Sequence, residues 1–399
     1  MFSFILLILI YLCFISLGLQ DSLFGAAWPS MYESINVPHY YAGIVSMIGA
    51  AMTVIAAVFS VYIIKRFTSG KVVIASVILT AAALLGFSFS HSFIYLCLLI
   101  IPLGLGSGSV DAALNNYIAM HYKARHMSWL HCFWGLGASA GPLIMSFFLL
   151  QGNSWHSGYR TISVIQFSLV LLLLFSFPLW KMKIGESSEQ KKENDKQADN
   201  NPVPLKKIFS IAGVKEILLA FFSYCSIEII TGLWGTSFMV IEKGIPPETA
   251  AQWISLFFIG ITSGRFLSGF LTIKLNNRQM VRIGQFIIGI AVIVFFLPFT
   301  NAALRPAFFL TGFGCAPIFP SLLHQTPVNF GRENSKAIVG IQMGCAYIGN
   351  TVIPPAFGWL TSVTSFKILP VILGLMLILN IIMVELVNRK VDKNKNTMI

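Results

Sequence analysis

Two carboxylates, Asp21 and Asp111, stand inside long apolar runs, at about residues 2–31 and 93–120, that hold almost no other charge. An acid at the centre of a membrane helix costs roughly 2.5–3.5 kcal/mol on insertion scales, so it is retained for a task. No lysine or arginine falls in the interior of any apolar run on this reading, which leaves the proton as the neutraliser. The chemistry expected of Asp21 and Asp111 is therefore reversible protonation coupled to the movement of a solute. Ser107, Asp111 and Asn115 are spaced by four and share one helix face. Asp21 and Asp111 are expected at different depths, as a relay. Glu228 is a third acid within an apolar run, and His131 lies near a helix end; both are candidates for gating or coupling.

A hydroxyl-rich solute is held by amides and carboxylates, and its apolar ring face stacks on aromatic side chains. Gln20, Asp21, Asn115, Asn116, Gln342 and Asn350 are the candidates for the first role, and Trp134, with Trp28 and Trp234, for the second. Trp155 and Trp180 are expected to be interfacial anchors, the commonest use of tryptophan in a membrane. An anionic substrate would call for an intramembrane Arg or Lys, so a neutral sugar or similar polyhydroxylated solute fits best. Ser107 and Ser109 with His131 are weighed as a nucleophile and its base, but the serines lie deeper than the histidine and out of hydrogen-bond reach. No enzyme is expected. The six cysteines are scattered through the apolar runs, without the clustering of a metal site, so neither metal nor cofactor is expected.

Composition states what must position these residues. The chain is 11% charged and 56% hydrophobic, with mean hydropathy +0.78, against about a quarter charged for a soluble protein. Twelve runs are long enough to span a bilayer as helices: 3–31, 39–64, 71–90, 93–120, 128–150, 159–181, 212–240, 247–273, 279–298, 302–326, 334–362 and 365–388. The first lacks a basic leader and a cleavage site and carries Asp21, so it is expected to be a retained helix. Of the 27 Lys and Arg, 23 fall at connections on the side of the termini, and four (Arg160, Lys243, Arg305, Lys367) on the other. This asymmetry places both termini in the cytoplasm, in a cell (inner) membrane. The net charge of +12 is thereby topology and needs no nucleic acid.

A polar tract from Gly185 to Asn201 cannot bury enough apolar area to order itself. The expected organisation is an N-terminal six-helix bundle at 1–181, a cytoplasmic linker at 182–207 and a C-terminal six-helix bundle at 208–399. The halves echo one another. Gly104-Leu105-Gly106-Ser107-Gly108 in the fourth run answers Gly312-Phe313-Gly314-Cys315-Ala316 in the tenth. Gly135 to Pro142 in the fifth answers Gly344 to Asn350 in the eleventh. Small residues at this spacing let membrane helices approach closely, and duplicated halves place a transport site near midplane.

These features resemble the major facilitator superfamily over essentially the whole chain. Its signature is degenerate at Ser60 to Lys71, which lacks the usual aspartate, and better kept at Gly264-Arg265-Phe266-Leu267-Ser268-Gly269-Phe270 with Arg278 and Arg282 beyond. More narrowly, the Asp21 segment, the run through Asp111 and Asn115, Phe133-Trp134-Gly135 to Pro142, and Gly312 to Pro320 resemble the fucose–galactose–glucose:proton symporters. The resemblance implies twelve helices in two pseudo-symmetric bundles, a monomer, and proton-coupled symport by alternating access, with Asp21 and Asp111 serving protons and sugar. Asp111 stands where that family has glutamate, and Trp134 where the fucose permease has an amide. A drug:proton antiporter of the same fold is the alternative.

Overall fold

The structure is a computed structural model that describes residues 2–122, 124–182, 208–297 and 300–397. Twelve helices in it are long and apolar enough to cross a membrane, and no strand occurs among the described residues. They are α1 (Phe2–Ser34), α2 (Tyr41–Phe67), α3 (Ser69–Phe87), α4 (Phe93–His121), α5 (Ala124–Leu150) and α6 (Trp155–Phe175), then α7 (Val214–Glu242), α8 (Pro247–Leu271), α9 (Asn277–Phe296), α10 (Asn301–Phe330), α11 (Arg332–Val363) and α12 (Leu369–Thr397). A helix of 20 residues spans about 30 Å, the thickness of the hydrocarbon core. The expected linker, 182–207, lies outside the described residues apart from Met182, the last residue of a short helix, Phe177–Met182.

The chain divides into two compact units, Met1–Val37 with Ile48–Asn201, and Pro38–Met47 with Pro202–Ile399. Small residues set the packing in each. In the first unit a Cβ on Gly104 would meet the Gly49 carbonyl, one on Gly108 would overlap Thr53 of α2, and Gly106 rests on Ser76 and Thr80 of α3. The second unit repeats the pattern. Gly312 of α10 is pressed to the Phe257 carbonyl of α8, Gly260 of α8 to the Phe309 carbonyl of α10, and Gly284 and Gly314 join α9 to α10. The glycine echo between the fourth and tenth runs thus marks the same helix contact in both halves.

A second repeat is polar. In the first unit the buried Gln166 of α6 donates to Gln20 Oε1 of α1 (3.0 Å), and its own Oε1 accepts from the Thr80 hydroxyl of α3 (2.9 Å). In the second, the buried Asn380 of α12 donates to the Ala220 carbonyl of α7 (2.7 Å) and accepts from Gln285 of α9 (2.8 Å). One amide on the sixth helix of each half therefore ties the first helix to the third. In an apolar medium a polar group left without a partner costs several kcal/mol, so such a staple specifies helix registry.

Candidate functional site

The site begins with two backbones that nearly touch. A Cβ on Gly18 of α1 would overlap the Trp134 carbonyl of α5, one on Gly137 would overlap the Ile15 carbonyl, and one on Gly141 would strike Ser22 and the Leu19 carbonyl. This approach brings the Trp134 ring beside α1, where its indole N–H donates to Asp21 Oδ2 at 2.9 Å. From α4 the Ser107 hydroxyl reaches Asp21 Oδ1 at 3.5 Å. One turn further along α4, the Asn115 amide donates to Asp111 Oδ1 at 2.9 Å. Three helices thus converge on Asp21, and Asp111 lies one turn beyond Ser107 on α4.

The depths agree with this geometry. Asp21 lies 13 residues from the end of α1, about 20 Å along it. Ser107 lies 14 residues from the start of α4, about 21 Å, and Asp111 18 residues, about 27 Å. The expected difference in depth between the acids amounts to one helical turn, and they lie within electrostatic reach of each other. Asp21 is exposed and Asp111 half-buried, although both sit far from the helix ends. No lysine or arginine lies within ion-pair distance of either among the described residues. Asp21 holds two donors to its charged form, Asp111 one, and both keep acceptor capacity for a solute or a proton.

Other candidates fall elsewhere. Gln20, expected to bind substrate, turns about 100° away from Asp21 and is buried in the α1–α3–α6 staple, a structural position. Gln342 is fully buried, and its carbonyl is taken by the Thr326 hydroxyl at 3.0 Å, so it too is part of the packing. Asn116 is exposed and Asn350 half-buried. His131 is exposed on α5, its ring edge-on to Phe14 at 5.8 Å, one turn from Trp134 toward the start of the helix. Trp28 and Trp234 are fully buried. Trp155 and Trp180 are buried as well, Trp155 donating to the Ser34 hydroxyl at 2.8 Å and Trp180 packing on Gly70, so neither is a lipid-facing anchor.

The reading that no basic residue enters a span is corrected by Arg265. It lies six residues inside the end of α8, about 9 Å, and its long side chain brings Nη2 to 3.9 Å from Glu228 Oε1 on α7. Glu228 is consequently an acid with a cation, unlike Asp21 and Asp111. The sequence assigned Arg265 to a connection because a charge near a helix end reads the same whether it faces solvent or a neighbouring helix.

The sequence matches the Major Facilitator Superfamily over residues 10–216 and again over 216–398. The glucose/mannose transporter GlcP of Bacillus subtilis (strain 168) is 22% identical over 357 residues, covering 88% of this chain and 86% of its own. Bypass of stop codon protein 6 of Saccharomyces cerevisiae is 22% identical over 397 residues, covering 92% and 79%. Among solved structures, a D-xylose-proton symporter superposes with a TM-score of 0.76 at 13% identity, over 96% of this chain and 97% of its own. The nucleoside transporter NupG does so with 0.74 at 14%, over 95% and 98%. At these identities the structural likeness carries the fold, and the two matched segments carry the duplication. The chain belongs to the Major Facilitator Superfamily, as a multi-pass membrane transporter and not an enzyme.

Proposed function

We propose that the chain is a proton-coupled symporter of a neutral sugar or similar polyhydroxylated solute, working by alternating access. The observation that carries this reading is the pair of carboxylates one turn apart, within the spans, with hydrogen-bond donors and no counter-cation among the described residues. An uncompensated acid at that depth is stable when protonated, and a proton is the partner it can exchange. Asp21 and Asp111 carry the proton. Asp21 and Asn115 accept and donate to solute hydroxyls, with Asn116 as a further amide. Trp134 holds Asp21 by its N–H and offers an indole face to a sugar ring.

Further support comes from the relatives: one is named a glucose/mannose transporter and a structural neighbour a D-xylose-proton symporter. The cation that could have received an anionic substrate, Arg265, is engaged by Glu228. The charge asymmetry of the connections supports an inner-membrane protein with both termini cytoplasmic, and the reading requires only one copy of the chain.

The test is uptake into proteoliposomes carrying an imposed pH gradient, screened across labelled hexoses, deoxyhexoses and disaccharides. Accumulation against a sugar gradient, collapsed by a protonophore, is the expected result. Sugar flux indifferent to the pH gradient removes the coupling, and proton-driven efflux of a lipophilic cation replaces the reading with drug antiport.

A further inference from the structure

The lipid-facing side of α9 and α12 carries a feature that the transport site does not use. A groove of about 410 Å³ runs between the two helices, lined by Phe286, Gly289, Ile290 and Ile293 of α9 and Leu377 and Ile381 of α12. Gly289 opens it, since the nearest atom to a Cβ built there is Leu377 Cδ2 at 3.7 Å. The groove ends at the Arg282–Glu385 pair, in which the guanidinium donates twice to the carboxylate at 2.7 and 2.8 Å. A second hollow of about 310 Å³ shares Ile381 and Glu385 and continues to Ile382, Leu386 and Arg389. Beyond the pair toward the end of α12, Arg278 and Asp392 form another two-pronged bridge at 2.8 and 2.7 Å.

We propose that these joined grooves bind one anionic phospholipid, its acyl chains lying on either side of the Ile381 ridge and its phosphate over Arg282 and Arg389. Charge complementarity selects this occupant. Arg282 and Glu385 cancel, as do Arg278 and Asp392, whereas the exposed Arg389 has no carboxylate at ion-pair distance among the described residues. The lining is left with a surplus of one positive charge, which a phosphodiester with an uncharged headgroup neutralises and a zwitterionic lipid does not. The depth is right as well. Arg282 lies five residues inside the start of α9, about 8 Å, where a headgroup meets the hydrocarbon, and the apolar groove continues deeper for the chains. Bidentate pairing holds both guanidinium and carboxylate rigid, so the polar rim is preformed. An ordinary annular contact would need neither the glycine-opened groove nor the surplus arginine.

The test is lipid retention by the intact protein, taken from bilayers of equal phosphatidylglycerol and phosphatidylethanolamine and read by native mass spectrometry and by thermal stability. Wild type is expected to retain one phosphatidylglycerol and to melt higher in that lipid. A cation at a membrane surface is worth about fivefold in binding an anionic lipid, so Arg389→Gln should lower the preference by about that factor. Gly289→Phe, which fills the groove, should lose retention of either lipid while the preference for headgroup disappears with it. Equal retention of the two lipids by wild type, or an undiminished preference in Arg389→Gln, overturns the proposal. Because Arg389 is exposed, that variant tests the site without disturbing the fold.

Discussion

The fifth helix of each half carries a glycine run, and the two runs do different things. On α5, Gly137 and Gly141 are pressed to the backbone of α1, with Gly18 answering from the other side. On α11, Gly340 and Gly344 have no atom within 4 Å of a built Cβ, and Gly349 meets only Phe222 and Cys225 of α7, at 3.6 Å and beyond. The acids follow the same division. Asp21 and Asp111 sit beside the tight seam without a cation among the described residues, while Glu228 sits in the second half within 3.9 Å of Arg265. The two halves thus share a helix arrangement, but among the described residues the first holds its intramembrane acids without a cation and the second sets Glu228 against Arg265.

The comparison can be broken most directly at the acids. Asp111→Asn is expected to abolish accumulation driven by a pH gradient while leaving sugar exchange partly intact, because the amide imitates the neutral acid and releases no proton. Glu228→Gln should keep the coupling and lower thermal stability, since the ion pair with Arg265 at 3.9 Å is lost. Both are read in the same proteoliposome assay, and wild-type accumulation by Asp111→Asn would remove the asymmetry of function.

The seam itself gives the next largest effect. Gly137→Val forces two backbones apart and should cost about 1–3 kcal/mol or more, whereas Gly344→Val should be close to neutral in a melting experiment. Equal losses would show that the open space beside α11 closes in the membrane.

Trp134 sharpens the chemistry. Its bond to Asp21 is charge-assisted whenever that acid is ionised, and is then worth about 1.5–3 kcal/mol, so Trp134→Phe should lower sugar affinity by up to about ten- to a hundredfold, nearly as much as Trp134→Ala. A phenylalanine that preserves affinity would mean that the ring face, and not the N–H, does the holding.

The smallest effect belongs to His39, which precedes α2 and packs with the second unit, its ring 5.3 Å from Phe366 and its Nε2 3.4 Å from the Thr361 hydroxyl. Burial holds its pKa below the ordinary 6.5. The folded protein then binds fewer protons here than the unfolded chain, so this contribution to stability is present above pH 6.5 and falls as the pH drops through that value toward the folded pKa. His39→Gln should flatten the melting temperature over that acidic range. An unchanged slope would assign it to other groups.

Much of this architecture was legible in the sequence. All twelve spans follow from runs of about 20 apolar residues, because in lipid the backbone has no alternative to the helix. Asp21 and Asp111 were legible for the same reason: an acid in such a run is conspicuous. What did not show was azimuth. A helix apolar all round, as α1 is, gives no moment to say which face is inward, so Gln20 could not be separated from its neighbour Asp21. The bond from Trp134 to Asp21 crosses 113 positions and depends on the glycines that let α1 and α5 meet. The signal available was Gly18 itself, a small residue one turn from an acid. Arg265 was missed because its long side chain reaches inward from near the end of α8, a reach that hydropathy does not see.

The indole held against Asp21 has an optical consequence. An indole N–H bound to a carboxylate experiences the charge on that carboxylate, and its excited state is more dipolar than its ground state. Trp134 should therefore report the ionisation state of Asp21 in the colour of its emission, as a chromophore fixed to that carboxyl group by the chain's own fold. In a protein stripped of its other seven tryptophans, the spectrum would follow the proton on Asp21 directly, without a dye and without any substrate.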